Sequence, residues 1–324
     1  MTNPSLVLTA QVEPRARVLI DNDFSGDPDD LYQLVHHLLA PSVSVVGVLG
    51  SHLSVGDVFD PSERQAENAV RIAEETLEVL GMSGAVPVYQ GSNAALVDGR
   101  TPQPAPAVDA ILAEARKESD LPLYFCAGAG LTDLASALMI DPTIAERMTL
   151  VWIGGAEHAD LATPPAGATD VEYNHNIDRE AVRYVFNETA IPIWQFPRDM
   201  YRQALVSHAE LETRVAPCGP VGEYLVRSIA TAINRMTEHG RPMGETYALG
   251  DSPLVLATAL QSAFQPDTSS SDFLVRPTPA IDEHDSYAGV SPNARPMRVY
   301  TRLDTRLMFE DFYARLAQHA SRTR

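Results

Sequence analysis

Short apolar runs alternate with longer amphipathic stretches through the first part of this chain. The runs fall at residues 17–21, 43–49, 86–89, 122–127, 148–153 and 191–195, and helical patterns occupy 28–40, 62–81, 106–118, 131–139 and 179–187 between them. Parallel strands need a crossover of a dozen or more residues, usually a helix. The alternation therefore predicts an α/β fold, with a mostly parallel central sheet and helices on both faces. Further helical patterns follow at 219–238, 252–262 and 308–320, and residues 264–298, rich in Pro, Ser, Asp and Arg, read as an extended excursion. With no internal repeat and no clean linker, residues 1–324 are expected to form one domain.

In sheets of this kind ligands bind beyond the carboxyl ends of the strands. The first strand, Arg17-Val-Leu-Ile-Asp21, runs straight into five carboxylates: Asp21, Asp23, Asp27, Asp29 and Asp30. A helix N-cap needs one acidic side chain, not five. Like charges this close repel, and a hard divalent cation ligated by oxygens is the simplest group that holds them together. Asp21 and Asp23, two apart, face the same side if the strand continues, and Asp29 and Asp30 open the next helix, where negative charge suits the dipole.

Charge narrows the ligand class. The chain carries a formal net charge of −19, and Lys117 is its only lysine. Such a field repels polyphosphate backbones, so nucleic acid is excluded as a partner and a neutral small molecule is favoured. Cys126 lies in an apolar run and Cys218 in a Pro/Gly loop, which suggests no disulfide framework. The first residues lack a basic segment followed by a long apolar core, and no run approaches the ~18 apolar residues of a membrane span. A cytoplasmic protein with no membrane partner is the expectation. Trp152 and Trp194 sit in strand patterns and are assigned to the core, while His36 and His37 on the first helix are expected to face the sheet and solvent.

The Asp23…Asp29-Asp30 pattern resembles the inosine–uridine-preferring nucleoside hydrolase family, whose members carry an N-terminal Asp-x-Asp followed shortly by Asp-Asp. The resemblance extends over residues 17–318. Asn68-Ala-Val-Arg-Ile, Leu80-Gly and Val86-Pro-Val-Tyr-Gln-Gly are similar to the family's helix, turn and strand. Gly130-Leu-Thr-Asp-Leu-Ala resembles its Gly-Pro-Leu-Thr-Asn-Leu-Ala, and Ile153-Gly-Gly-Ala its Met-Gly-Gly-Ala. Glu172-Tyr-Asn174, with Asp178 behind it, resembles its Glu-Phe-Asn, Gly250-Asp251 its late His-Asp, and Val299-Tyr-Thr…Asp304 its closing strand.

The resemblance implies a nucleoside-hydrolase-like fold and Ca²⁺-dependent hydrolysis of the N-glycosidic bond of a ribonucleoside or related N-riboside. It implies Ca²⁺ ligation by Asp23, Asp30, Asp251 and the backbone carbonyl of Thr132, with Asp21 orienting these ligands. Asp29 would bond the ribose 2′-hydroxyl, and Glu172 and Asn174 the 3′- and 5′-hydroxyls. The nucleophile would be metal-bound water with Asp23 as general base, and the subunits would form a homodimer or homotetramer. The chemistry is coherent, because the oxocarbenium-like sugar is stabilised by nearby carboxylates as it forms.

Departures from the family pattern lie on the nucleobase side. The turn between Asp23 and Asp29 is two residues longer than usual and leaves Asp27 without a role. Gly250 stands where the family has a histidine that helps protonate the departing base; His52, His239, Arg241 and Tyr247 are candidate substitutes. Ser51 and His52 stand near a missing asparagine of the second strand, and Asp160 is the nearest polar candidate for a missing sugar-binding asparagine. A dehalogenase-type phosphohydrolase, suggested by Asp21-x-Asp23 after a strand, lacks its later lysine, since Lys117 precedes a strand. The alternative to the hydrolase is a ribose-compound-binding protein that keeps the metal site without activity.

Overall fold

The computed structural model describes residues 8–242, 244–262 and 269–322. Its strands are β1 (Ala16–Asn22), β2 (Val43–Gly50), β3 (Val88–Gln90), β4 (Leu123–Ala127), β5 (Thr149–Ile153), β6 (Ile193–Phe196), β7 (Leu205–Ser207), β8 (Thr246–Ala248), β9 (Asp272–Pro277), β10 (Pro279–Ile281), β11 (Tyr287–Val290) and β12 (Pro296–Arg302). The helices are α1 (Asp29–Leu39), α2 (Gln65–Val79), α3 (Pro106–Ala115), α4 (Thr132–Ile140), α5 (Tyr173–Ile177), α6 (Arg179–Glu188), α7 (Arg198–Tyr201), α8 (His208–Glu210), α9 (Gly219–Glu238), α10 (Pro253–Thr258) and α11 (Thr305–Arg322). No described helix is long and apolar enough to cross a membrane.

Eight strands form one sheet in the order β3-β2-β1-β4-β5-β6-β12-β9, parallel throughout except for the antiparallel edge strand β9. Successive side chains of a strand face opposite sides, so a sheet covered on both faces is apolar at every position. Val18, Ile20, Cys126 and Val151 enter the layer shared with α1, α9, α10 and α11. Leu19, Phe125, Leu150 and Trp152 enter the layer shared with α3, α4 and α6. In α1, Leu31, Leu34 and Val35 present the helical stripe that meets the first layer.

The chain runs outward from β1 through β2 to β3 and then crosses back to β4 on the other side of β1. The carboxyl ends of β1 and β4 therefore flank a topological switch point, where such sheets open a crevice. The Asp-rich turn leaves β1 at this crevice.

Two expectations need correcting, and one element was not anticipated. The stretch 264–298 is not an excursion: its described part, from 269 on, supplies β9, the hairpin β10–β11 and the start of β12, while 264–268 lie outside the described residues. A two-stranded ribbon, β7–β8, had no signal strong enough in three-residue strands. Trp152 is fully buried, whereas Trp194 is half-buried, with the Arg298 guanidinium 4.2 Å above its ring. Both cysteines are buried, and no disulfide joins them.

Candidate active site

A cavity of about 220 Å³ opens at the switch point, lined by Asp23, Asp27, Asp29, Asp30, Gly128, Glu172, Asn174, Tyr201, Gly250 and Asp251, with Leu53, Phe59, Ile153 and Tyr173 as its less polar walls. These residues come from the ends of β1, β4 and β5, the loop after β2, the starts of α1 and α5, the end of α7 and the turn before α10.

Asp29 and Asp30 occupy the first turn of α1, where negative charge suits the helix dipole and the N-cap Pro28 supplies no side-chain bond. One oxygen each of Asp29, Asp30 and Asp251 lies within 4.8 Å of the others. The Asp251 side chain does not cap α10; its Oδ2 accepts from Asn22 Nδ2 at 2.8 Å, and the Asp251 amide donates to Asp29 Oδ2 at 3.1 Å. Oδ2 of Asp23 and Oδ2 of Asp30 are buried without a hydrogen-bond partner. An orphaned buried carboxylate oxygen is costly, and two of them beside Asp251 fit an oxygen-ligated cation.

Electrostatics agree. Burial pushes Asp23 well above the usual carboxylate range, and Asp251 and Asp57 push it further. Burial, then Asp251 and Asp23, does the same to Asp30. Asp251 is pushed up to about 7, mainly by burial. Asp21 lies behind the others, fully buried, held by the Ser51 hydroxyl, and raised by burial and by Asp133.

The fourth expected ligand is corrected. Thr132 begins α4, its carbonyl accepts from Ser136 Oγ at 2.8 Å, and it does not line the cavity. Its hydroxyl donates to Asp178 Oδ2 at 2.6 Å, which places it in the packing behind the site. The backbone that reaches the carboxylates is Gly128, after β4: a Cβ there would stand 1.9 Å from Asp251 Oδ2 and 2.4 Å from Asn22 Oδ1. Only glycine permits that approach.

On the opposite wall Glu172 caps α5. Its Oε1 accepts from the Tyr201 hydroxyl at 2.8 Å and its Oε2 from the Gly155 amide at 2.7 Å. Asn174 donates through Nδ2 to the carbonyls of Gly128 (2.9 Å) and Ile153 (2.8 Å). Both amide hydrogens are thereby used, and Oδ1 is left for a ligand.

The proposed substitutes for the missing histidine separate sharply. His52 is buried and turned from the cavity, with Nδ1 3.0 Å from the Leu53 carbonyl and Nε2 3.0 Å from Thr132 Oγ1, and burial pushes its pKa down. His239 is exposed at the end of α9 and donates to the Arg235 carbonyl at 2.8 Å. Neither lines the site, which corrects both assignments. Tyr247 does reach it, donating to Asp27 Oδ1 at 2.6 Å; Asp27 is thus the anchor of the lengthened turn. Asp160 pairs with Arg276 at the surface, 3.0 Å away.

Several contributors carried no signal in the sequence. Asn22 bridges the site: its Oδ1 accepts from the Gly128 amide at 2.7 Å, and its Nδ2 donates to Asp251 and, at 3.2 Å, to Gln33 Oε1. Gln33 Nε2 donates to His37 Nδ1, and His37 Nε2 donates to Thr258 Oγ1 at 2.9 Å. Both His36 and His37 are buried, and burial pushes His37 down to about 3, so it serves as a neutral link. Tyr173 donates to Asp57 Oδ2 at 2.7 Å and ties the loop after β2 to α5 across the cavity mouth.

With this geometry in place, the sequence matches the inosine-uridine preferring nucleoside hydrolase family over residues 18–309. The chain belongs to that family. It is accordingly a nucleoside hydrolase, an enzyme class acting on N-glycosyl compounds. No curated protein sequence matches it. Among solved structures, the fold is similar to a purine-preferring ribonucleoside hydrolase from Gardnerella vaginalis (18% identity, TM-score 0.71, covering 94% of this chain and 99% of that one). It is also similar to a plant nucleoside hydrolase (18% identity, TM-score 0.68, 94% and 99% coverage). A third similar structure is the type III effector XopQ complexed with adenosine diphosphate ribose (19% identity, TM-score 0.62, 96% and 94% coverage). In this nucleoside hydrolase the acidic turn, the Glu172–Asn174 wall and Asp251 converge although 221 residues separate Asp30 from Asp251.

Proposed function

We propose that this nucleoside hydrolase cleaves the N-glycosidic bond of a ribonucleoside or related N-riboside with Ca²⁺ bound, releasing free base and ribose. The observation that carries the reading is the pair of orphaned oxygens on Asp23 and Asp30, together with the close approach of Asp29, Asp30 and Asp251 to one another. Asp23, Asp30, Asp251 and the Gly128 carbonyl would hold the ion. Calcium takes six to eight oxygens, which leaves room for water and a vicinal diol. When bound, the cation supplies positive charge that offsets the carboxylates and acidifies the attacking water.

The protein's own groups do the rest. Glu172, fixed by Tyr201 and the Gly155 amide, and Asn174 Oδ1 accept from ribose hydroxyls; Asp29 takes the 2′-hydroxyl from the opposite side. These contacts hold C1′ over the carboxylates, whose field stabilises positive charge as the C1′–N bond lengthens. Asp23 accepts the proton of the attacking water. Asp21, fixed by the Ser51 hydroxyl at the end of β1, would steady the start of the turn that carries Asp23. The test is a reducing-sugar assay over purine and pyrimidine nucleosides and N-ribosides, with and without chelator. Chelation abolishes ribose release, and Asp23→Asn lowers kcat by at least about 10²-fold, the lower end for a general base. Turnover that survives the substitution refutes the mechanism.

A second reading, a ribose-compound-binding protein, draws support from Gly250 and from the similar XopQ structure with its adenosine diphosphate ribose. Ca²⁺-dependent binding of that compound with no ribose release from any riboside would establish it instead.

A further inference from the structure

The leaving group poses the sharpest problem. A neutral nucleobase departs as an anion unless it is protonated, and general acids supply that proton in most such sites. Among the described residues, no lysine, arginine or histidine lines this cavity. Each hydroxyl or amide donor on its walls is committed: Tyr201 to Glu172, Tyr173 to Asp57, and Asn174 to two carbonyls. Tyr247, just behind, is committed to Asp27. Arg198 is held by Glu157 at 2.6 Å and 2.8 Å. Asp27 and Asp57, by contrast, have no cationic partner among the described residues, and calcium at the inner carboxylates leaves both uncompensated at the mouth. Phe59 and Tyr173 add aromatic surface beside them.

We infer that the substrates this site favours carry a positive charge on the aglycone before the reaction begins: cationic N-ribosides of the N-ribosylpyridinium type. The inference rests on the hydrolase reading and narrows its substrate class. Such an aglycone needs no acid. The C1′–N bond breaks with its electron pair passing to the ring nitrogen, which cancels the ring's charge, and the pyridine leaves neutral. Water adds to C1′ and its proton passes to Asp23, so a cationic riboside and water become ribose, a neutral heterocycle and a proton. Asp27 and Asp57 attract the cation at the mouth, aromatic faces bind it, and the net charge of −19 steers it inward.

The test measures kcat/KM in Ca²⁺ for nicotinamide riboside and unsubstituted N-ribosylpyridinium against uridine and inosine. The cationic substrates should lead by at least about ten-fold, equivalent to about 1.4 kcal/mol. Because cationic ribosides are also intrinsically more labile, the ratio is repeated with Asp57→Asn and Asp27→Asn, each of which should shrink it several-fold, and with Gly250→His, which should raise inosine turnover. Inosine or uridine cleaved as well as the cationic compounds, or a ratio that neither Asn variant moves, overturns this inference and leaves the hydrolase intact. No ribose from either cationic compound overturns this inference, and no ribose from the whole panel of nucleosides and N-ribosides overturns the hydrolase reading as well.

Discussion

Removing calcium should destabilise this protein more at high pH than at low pH, and Asp251 gives the order of magnitude of the effect. Its carboxyl is pushed from 3.8 to about 7 by burial among other carboxylates. A carboxylate raised in the folded state binds more protons folded than unfolded, so stability falls as pH climbs from the unfolded value through the folded one. Integrated between about pH 6 and about pH 8, one such group costs the metal-free fold on the order of 1 kcal/mol. For a chain of 324 residues, with an unfolding entropy of about 2.1 cal/mol/K per residue, that is on the order of 1–2 °C in Tm. Asp21, Asp23 and Asp30, also raised by burial, act in the same direction. Calcium at about 100 times its Kd adds ~2.7 kcal/mol, or about 4 °C, once the carboxylates are ionised, and less where protons compete. Scanning calorimetry in chelator and in Ca²⁺ at both pH values reads this directly. In chelator the protein should melt higher near pH 6, and the Ca²⁺ increment should be larger near pH 8. Asp251→Asn should flatten the pH dependence in chelator by the roughly 1–2 °C assigned to that group. A metal-free protein that melts higher near pH 8, or a Ca²⁺ increment equal at both, refutes the argument.

Three further outcomes follow from the packing. Gly128→Ala drives a methyl into the space of Asp251 Oδ2, 1.9 Å from the ideal Cβ, so calorimetric titration should show Ca²⁺ binding weakened by at least about ten-fold, or about 1.4 kcal/mol. Thr132→Val removes the hydroxyl that serves Asp178 and His52 but leaves the backbone carbonyl; it should cost about 1–3 kcal/mol in denaturant unfolding while Ca²⁺ affinity stays within a factor of about two. Tyr201→Phe frees Glu172 Oε1 from one of its bonds, and KM for the riboside should rise several-fold, with a stability loss of about 1 kcal/mol seen in the same unfolding assay.

Much of the fold was legible because its signals are local. The expected helix at 219–238 coincides with α9, and the runs at 17–21 and 148–153 lie within one residue of β1 and β5 at each end. Doubly buried strands must be apolar throughout, and their crossover helices must show a 3.6-residue period. The ribbon β7–β8 and the edge strand β9 escaped because short or exposed strands bury too little to leave a pattern; Leu205, Leu274 and Val275 are exposed. In the site, the carboxylates were legible because five in one turn have no bland explanation. Gly128 was not, since a glycine needed for one close contact looks like any other, and Thr132 drew the assignment from the same motif four residues on.

What the sequence determined by itself was therefore the layered α/β architecture, the acidic turn at the end of β1 and the family. These are properties of consecutive residues, read through period, charge density and motif order. What only the tertiary structure decided was which groups meet. It turned His52 inward against Thr132 and left His239 at the surface. It joined Asn22, Gln33 and His37 to Asp251, and it committed each donor on the cavity wall to an acceptor of its own. A side chain's direction and its partners are set by packing between segments far apart in the chain, and no local pattern encodes them.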